Sequence, residues 1–259
     1  MGIGGSLAWL SGGFDSDAQT FFTDANITNA TQRNAVDSLA RGLKNNGTWA
    51  KYQAIYPFVG GSASQHSYNL KNTSQFSIGW GGTVTHNANG VTGDGSTGFG
   101  NTGFNPSTNG TLGDSHISLY SRTNQAINLI DMGATIGSHA WLIHTRLLDG
   151  NFSPTLGNTT RPNFATPNSL GLFAVSRLNT TNISGYKDGV VVIDNVSNTT
   201  SALPNGALLL LASNQDGSAA LYSQRNFAFA SIGLGLTTAE IAADYTVIQA
   251  YETALSRQV

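Results

Sequence analysis

Short apolar segments alternate with polar turns along most of the chain. The apolar segments have the length and the β-branched or aromatic content of strands. Clusters of Gly, Pro, Asn and Asp separate them at the spacing typical of a β-sandwich. The dipeptide Asp188-Gly189 is a strong hairpin signal. The predicted strands cover residues 54–59, 75–80, 116–122, 126–132, 140–147, 170–176, 183–187, 190–194, 208–212, 219–223 and 227–232.

The first part of the chain has a helical pattern instead. Asp15 or Ser16 can cap one helix, and Asn29 with Gln32 can cap a second. Asn45-Asn46-Gly47 ends the second helix, because Asn and Gly tolerate a left-handed backbone. Two such short helices cannot form a core alone, so we expect them to pack on the sandwich or on a partner chain. The apolar face of the second helix consists of Val36, Leu39, Ala40 and Leu43.

A third helix is predicted at the C-terminus. The strand at 227–232 ends at Gly233 and Gly235, and Thr237 with Glu240 then forms a capping box. Apolar residues follow at helical spacing and give this helix one buried face. They are Ile241, Tyr245, Ile248 and Leu255.

Composition narrows the function classes. Only 10% of the 259 residues are charged, so Asn, Thr, Ser and Gly must make the surface polar. The net charge of −2 and the scattered basic residues argue against nucleic acid and against a polybasic membrane patch. The chain has no cysteine, which excludes disulfides and thiolate chemistry. The first 13 residues lack the basic region of a signal peptide.

Several motifs then follow one another in a fixed order. They are AIYPFVGGSASQHSYNLKN at 54–72, WGGTVTH at 80–86, FNPST at 104–108, HISLYSRT at 116–123, FAFASIGLGLT at 227–237 and the final LSRQV. In this order they resemble phage and prophage virion structural proteins, of fibre, spike or decoration type, that carry a concanavalin A-like or laminin G-like domain. The resemblance covers nearly the whole chain after about residue 15. It names no catalytic residues.

This resemblance implies a mainly β fold. We expect a concanavalin A-like jelly-roll sandwich with an N-terminal helical hairpin and a short C-terminal helix. The expected parts are an attachment segment at 1–13, the hairpin at 14–48, and the sandwich with its helix at 49–259. Because the chain begins with Met, we expect a complete virion subunit.

The same resemblance implies the partners and the location. Fibres and spikes of this kind are commonly trimeric, so we expect a homotrimer on the virion surface that contacts other virion proteins and host-surface glycan. Residues 1–13 are rich in glycine around one apolar cluster. That cluster, Leu7, Trp9 and Leu10, is the candidate attachment site, either on a neighbour or on this domain itself.

The acidic residues argue against an enzyme. Glycoside hydrolysis uses two carboxylates at the reacting sugar, and here both Glu, Glu240 and Glu252, fall in the C-terminal helix. A lyase could use Tyr, His and Arg, for which Tyr120, Arg122, His144 and Arg146 are the candidates on strands. Single residues of these types are more often groove lining, so we expect no catalytic residues.

Metal binding has one candidate class. His139 and His144 are five residues apart, which places them on opposite faces of a strand, and His66, His86 and His116 stand alone in the sequence. No zinc site is therefore expected. Calcium is the candidate cofactor, at loop acids next to glycine, although turn formation explains the same residues. These acids are Asp94, Asp114 and Asp149.

Sugar binding needs an aromatic platform and a few planar polar groups. Tyr186, beside the Asp188-Gly189 turn, is the aromatic residue expected to be exposed, whereas Trp141 and Tyr120 have apolar neighbours that favour core packing. The full candidate set is Trp80, Tyr120, Arg122, Asn124, Trp141, Arg146, Tyr186, Tyr222 and Arg225.

Three functions follow from these observations. The first is a non-enzymatic virion-surface protein that binds host-surface glycan. The second is a soluble carbohydrate-binding lectin domain, which predicts sugar affinity without a particle. The third is a polysaccharide depolymerase, which predicts an acid pair or a Tyr/His/Arg cluster in the concave groove.

Overall fold

The computed structural model describes residues 13–259, which form two stacked β-sheets and a layer of helices. The helices are α1 (Ser16–Asp24), α2 (Ala30–Asn45), α3 (Ala63–His66), α4 (Pro106–Asn109) and α5 (Thr238–Ala254), with a 3-10 turn at Trp49–Lys51. The attachment candidates Leu7, Trp9 and Leu10 lie outside the described residues.

The strands follow the chain from β1 to β17. The first nine are β1 (Tyr52–Tyr56), β2 (Gly79–Gly81), β3 (Val84–Asn87), β4 (Gly90–Gly93), β5 (Phe99–Asn101), β6 (Ser115–Ser121), β7 (Met132–Ile136), β8 (His139–His144) and β9 (Asn151–Asn158). The others are β10 (Phe164–Ala165), β11 (Gly171–Arg177), β12 (Asn182–Lys187), β13 (Val190–Ser197), β14 (Leu209–Leu210), β15 (Ser213–Gln215), β16 (Ser218–Ala220) and β17 (Asn226–Gly233).

The strands form one eight-stranded and one nine-stranded sheet. The first has the order β13-β12-β11-β6-β17-β4-β3, with β1 paired to β17. The second has the order β10-β9-β8-β7-β14-β5-β2 and includes β15 and β16. Pairing is antiparallel except between β7 and β15. The predicted fold class, a mainly β sandwich with N-terminal helices and a C-terminal helix, is confirmed.

Two hydrophobic clusters hold these layers together. The first lies between the sheets, where alternate residues of each strand point inward, among them Trp141, Phe173 and Phe227. The second lies between the helices and the outer face of the eight-stranded sheet. The eight-stranded sheet is thus buried on both faces, and α1, α2 and α5 form its outer cover.

The helix ends agree with the sequence prediction. Asp15 caps α1 and Asn29 caps α2 through their side-chain oxygens. Thr237 and Glu240 form both bonds of the capping box that begins α5. The polar residue at each start therefore fixes where the helix begins.

Some predicted strands are shorter than expected, and one is missing. Leu211 and Leu221 have φ of 63° and 56°, which ends β14 and separates β16 from the residues after it. Phe76, with φ of 53°, likewise leaves only Gly79–Gly81 of the segment 75–80 as a strand. Residues 126–131 form no strand, because their backbone bonds go to scattered partners such as Arg146.

The structure also contains a long strand that the pattern did not predict. β9 carries Pro154 and Gly157, which disfavour strands. Its partner on one side, β10, pairs only with Asn151 and Phe152, so β9 is an edge at Pro154. Proline is tolerated at an edge because no ladder hydrogen bond is lost there.

Candidate functional site

The outer face of the nine-stranded sheet carries an open groove. Leu142 and Ala140 point outward because they alternate along β8 with Trp141 and Ile143, which belong to the core between the sheets. With Ile130 they form a small buried apolar cluster that is the floor of the groove. The helices cover the other sheet, so this groove lies on the opposite side of the molecule.

Two adjoining hollows make up this surface, which we call the sheet groove. The first, about 230 Å³, lies over the apolar floor and is bordered by Thr135, Thr159 and Gln215. The second, about 460 Å³, is lined by Asn128, His144, Leu147, Leu148 and Asp149. Arg161 and Leu221 line both hollows and join them.

Leu221 reaches the rim because of its backbone. Its φ of 56° breaks the strand, and its carbonyl accepts the N–H of Ile130 at 3.0 Å. The side chain is 44% exposed, and Leu148 at the far end is 67% exposed. Two large apolar side chains therefore border a groove whose lining is partly apolar and partly polar, an arrangement that suits a ligand with both apolar and hydroxyl-bearing faces.

Arg161 is held over the groove by His144. The ring Nδ1 of His144 lies 2.9 Å from the carbonyl oxygen of Leu129, so Nδ1 carries the proton and donates it. The bare Nε2 then accepts an N–H from the guanidinium of Arg161. Burial, followed by the charge of Arg161, lowers the pKa of His144 to about 4, so the ring is neutral near pH 7.

Beneath the groove lies a buried ion pair. Asp131 and Arg225 are fully buried, and their charged atoms are 2.6 Å apart. Asp131 also accepts the hydroxyls of Ser223 and Thr145, at 2.7 and 2.8 Å. The second terminal nitrogen of Arg225 donates to the carbonyl oxygens of residues 125 and 146. The pair therefore ties together the segments that carry the groove.

Four predicted sugar-binding candidates are buried and unavailable to a ligand. Tyr120, Trp141 and Arg225 are fully buried, and Tyr186 is only 3% exposed. The expected exposure of Tyr186 is wrong, because the helix layer covers its strand and its hydroxyl lies 3.2 Å from that of Thr238. Arg225 is used by Asp131, and Trp141 lies between the sheets, as its apolar neighbours indicated.

The remaining candidates are dispersed over the surface. The indole of Trp80 donates to Ala63 and Ser67 near the α3 segment. Arg122 donates to the carbonyl of Arg257, at the C-terminus. Arg146 and Asn124 lie beside each other at 3.5 Å, and the hydroxyl of Tyr222 donates to Ala219. The structure does not unite these residues in one site.

The groove-lining cation was missed by the sequence prediction. Arg161 follows a polar turn and precedes a proline, in a loop without strand pattern. One signal could have found it, since it is the only charged residue between Asp149 and Arg177. Leu221 had no such signal, because a leucine in the left-handed region is uncommon.

The candidate calcium ligands serve turns and loops. The carboxylate of Asp94 accepts the hydroxyl of Thr97 and the backbone N–H groups of Ser96, Thr97 and Gly98, which lowers its pKa. Asp114 accepts from Gly235 and Asp149 from Asn151. Within residues 13–259, no group of three or more His, Cys, Asp or Glu could hold a metal ion.

The histidines include one pair that the sequence did not predict. His66 and His86 lie far apart along the chain, yet their Nδ1 atoms are 3.1 Å apart. Burial, then the neighbouring His86, lowers the pKa of His66 to about 3. The pair is therefore neutral near pH 7 and joins α3 to β3.

Comparison with known proteins shows similarity at the level of fold. No protein-family model matches the chain, and no curated protein matches it. Domain 4 of the arabinanase AbnA from Geobacillus stearothermophilus, solved with arabinotriose, has a TM-score of 0.52 at 15% identity. The alignment covers 75% of this chain and 98% of that domain.

Two larger proteins contain a similar fold. A botulinum neurotoxin type C structure has a TM-score of 0.55 at 14% identity over 78% of this chain, and cell entry of that toxin depends on two ganglioside molecules. A Trypanosoma rangeli sialidase bound to a difluoro sugar acid has a TM-score of 0.53 at 10% identity over 82% of this chain. The alignments span 52% of the toxin chain and 39% of the sialidase chain.

Proposed function

We propose that the chain is a non-enzymatic, glycan-binding β-sandwich whose binding site is the sheet groove. The observation that carries this proposal is an open groove with an apolar floor on the sheet face opposite the helices. Sugars present C–H faces and hydroxyl edges, and the groove offers aliphatic side chains for the first and amide, hydroxyl and guanidinium groups for the second.

The fold comparison supports a carbohydrate ligand. The arabinanase domain, aligned over almost its whole length, was solved with a bound oligosaccharide, and the neurotoxin uses gangliosides. These ligands belong to those proteins. The fold shared with them supports a carbohydrate as the first ligand class to test here.

The acid–base groups of the groove favour binding over cleavage. Asp149 is the one carboxylate among the described residues that line it, whereas glycoside hydrolysis uses two. Glu240 completes a helix cap and Glu252 is buried against Arg257. A lyase would need its Tyr and His close together. Tyr120 lies under the helix layer, on the opposite side of the sandwich from His144.

We also propose that the protein is displayed on a virion surface as a homotrimer. This part rests on the sequence resemblance to phage fibre, spike and decoration proteins. One structural feature supports it: the carbonyl of Gly13 accepts an N–H from Arg41 in α2, so the described part of the chain begins at the helix layer. Attachment on the helix side would leave the sheet groove facing outward.

A glycan-array screen of the purified chain, with its mass measured in solution, tests both parts. We expect specific binding to a defined set of glycans by a species of three times the chain mass. Failure of the folded protein to bind any glycan would contradict the binding function. A monomeric mass would contradict the trimer and leave the glycan site to be judged by its own result.

A further inference from the structure

The sheet groove contains one cation that is free to meet a ligand. Arg161 is exposed at the junction of the two hollows and forms no ion pair with any residue from 13 to 259. Arg225, beneath the groove, is already paired with Asp131. Arg161 therefore carries the uncompensated positive charge of this surface.

The neighbours of Arg161 orient it without neutralising it. His144 accepts one N–H through Nε2, and its own Nδ1 proton is used by the Leu129 carbonyl. A neutral ring thus fixes one terminal nitrogen of the guanidinium and leaves the other N–H groups for a ligand. Burial lowers the pKa of Arg161 but leaves it charged at neutral pH, because arginine starts from a very high pKa.

The rest of the groove does not supply a competing anion at this point. Asp149 lines only the second hollow, and its Oδ1 accepts the N–H of Asn151 at 3.0 Å. The first hollow combines the apolar floor with uncharged Thr135, Thr159 and Gln215. A cation beside the exposed side chain of Leu221 gains most from a ligand that places a planar anion on the guanidinium and a sugar ring on the leucine.

We infer that the sheet groove selects acidic glycans, and that Arg161 binds the carboxylate of a sugar acid such as a hexuronic acid. The planar fork of the guanidinium matches a carboxylate with two parallel N–H···O bonds. Leu221, which is 44% exposed at the rim, would contact the ring that bears it. This inference rests on the proposed function. It adds that the ligand is anionic and that Arg161 is the residue that binds its charge.

The test is a quantitative glycan array with neutral, carboxylated and sulfated sets, followed by titration of the strongest carboxylated ligand and its methyl ester. Methyl esterification removes the charge and keeps the sugar skeleton. We expect affinity to fall about tenfold or more on esterification and on Arg161→Gln, since a charge-assisted bond is lost in both cases. Raising the salt concentration should weaken the binding of the carboxylated glycan to the parent protein. The binding of the methyl ester should not change with salt.

Two further variants separate recognition of the ligand charge by Arg161 from the general effect of replacing an arginine. Arg41→Gln removes an exposed arginine from the helix layer on the opposite side and should leave affinity within about twofold of the parent. Arg161→Lys keeps the charge but lacks the fork, so it should recover only part of the affinity. The melting temperature of each variant confirms that the fold is retained.

The outcomes distinguish this inference from the proposed function. Equal binding of acid and ester, unchanged by Arg161→Gln, would overturn the acidic preference and leave a neutral-glycan site standing. Binding confined to sulfated glycans would overturn the carboxylate class. Absence of binding to every glycan would overturn the proposed function itself.

Discussion

At the residue scale, the buried pair of Asp131 and Arg225 supports the groove. Removing one partner from a buried pair leaves an uncompensated charge, which is costly. We expect Asp131→Asn to lower the free energy of unfolding by about 3 kcal/mol in urea denaturation. The matched control is Asp194→Asn on the exposed side of β13, which should change it by less than about 0.5 kcal/mol. Equal effects of the two variants would refute this role.

The buried histidines make stability depend on pH. Burial lowers the pKa of both His144 and His116 to about 4, below the ordinary value of 6.5. Because the folded state favours the neutral rings, their contribution is complete above pH 6.5 and is lost as the pH falls from 6.5 towards 4. Each ring can contribute roughly 3 kcal/mol by this linkage.

A variant isolates one of these rings. Urea unfolding from pH 7 to pH 4.5 should show a steeper loss of stability for the parent than for His144→Gln, by roughly 2 kcal/mol. Burial raises the pKa values of Asp244 and Glu252, so these two residues change the stability with pH in the opposite direction. Their contribution is the same in both proteins and cancels in the comparison. Parallel pH profiles would mean that His144 titrates alike in the folded and unfolded chain.

At the element scale, the start of α5 is fixed by its capping box. Thr237 accepts the N–H of Glu240 at 3.2 Å, and the Glu240 carboxylate accepts the N–H of Thr237 at 2.8 Å. Thr237→Ala should lower the free energy of unfolding by about 1 kcal/mol, as loss of a cap does. Thr246→Ala, at an exposed position inside the same helix, is the control and should be close to neutral.

The elements show where sequence patterns suffice. The caps and the regular central strands β6, β11 and β17 were predictable, because local hydrogen bonding and alternation decide them. β9 was not, since its proline is tolerated only through the position of that strand at a sheet edge. The turns at Leu211 and Leu221 depend on tertiary contacts that override the preference of leucine for negative φ.

At the scale of the whole molecule, the sandwich has two different sides. The helices cover one sheet, and the other sheet carries the groove. The sequence could predict the layers but not the groove, because Ile130, Arg161 and Leu221 come together only through sheet pairing. Aromatic content indicated a sugar platform, yet packing between the layers uses the candidates Tyr120, Trp141 and Tyr186.

Metal removal provides a test of the whole fold. The carboxylate of the loop acid Asp94 accepts three backbone N–H groups and the hydroxyls of Ser96 and Thr97, so we expect folding not to require a cation there. We expect the melting temperature in excess chelator to equal that in millimolar calcium. A melting temperature that rises with calcium and falls again with chelator would instead support the calcium site that the sequence suggests.

No helix within the described residues is long and apolar enough to span a membrane.

The most direct test of the proposed glycan-binding face is a matched pair of leucine substitutions. Leu221 on the sheet groove is 44% exposed and Leu112, outside it, is 42% exposed. Asparagine tolerates the left-handed backbone at residue 221, so Leu221→Asn should fold normally. Titration with the strongest array ligand should show about tenfold weaker binding for Leu221→Asn and unchanged binding for Leu112→Asn. Unchanged binding in both, with the fold intact, would place the glycan site elsewhere.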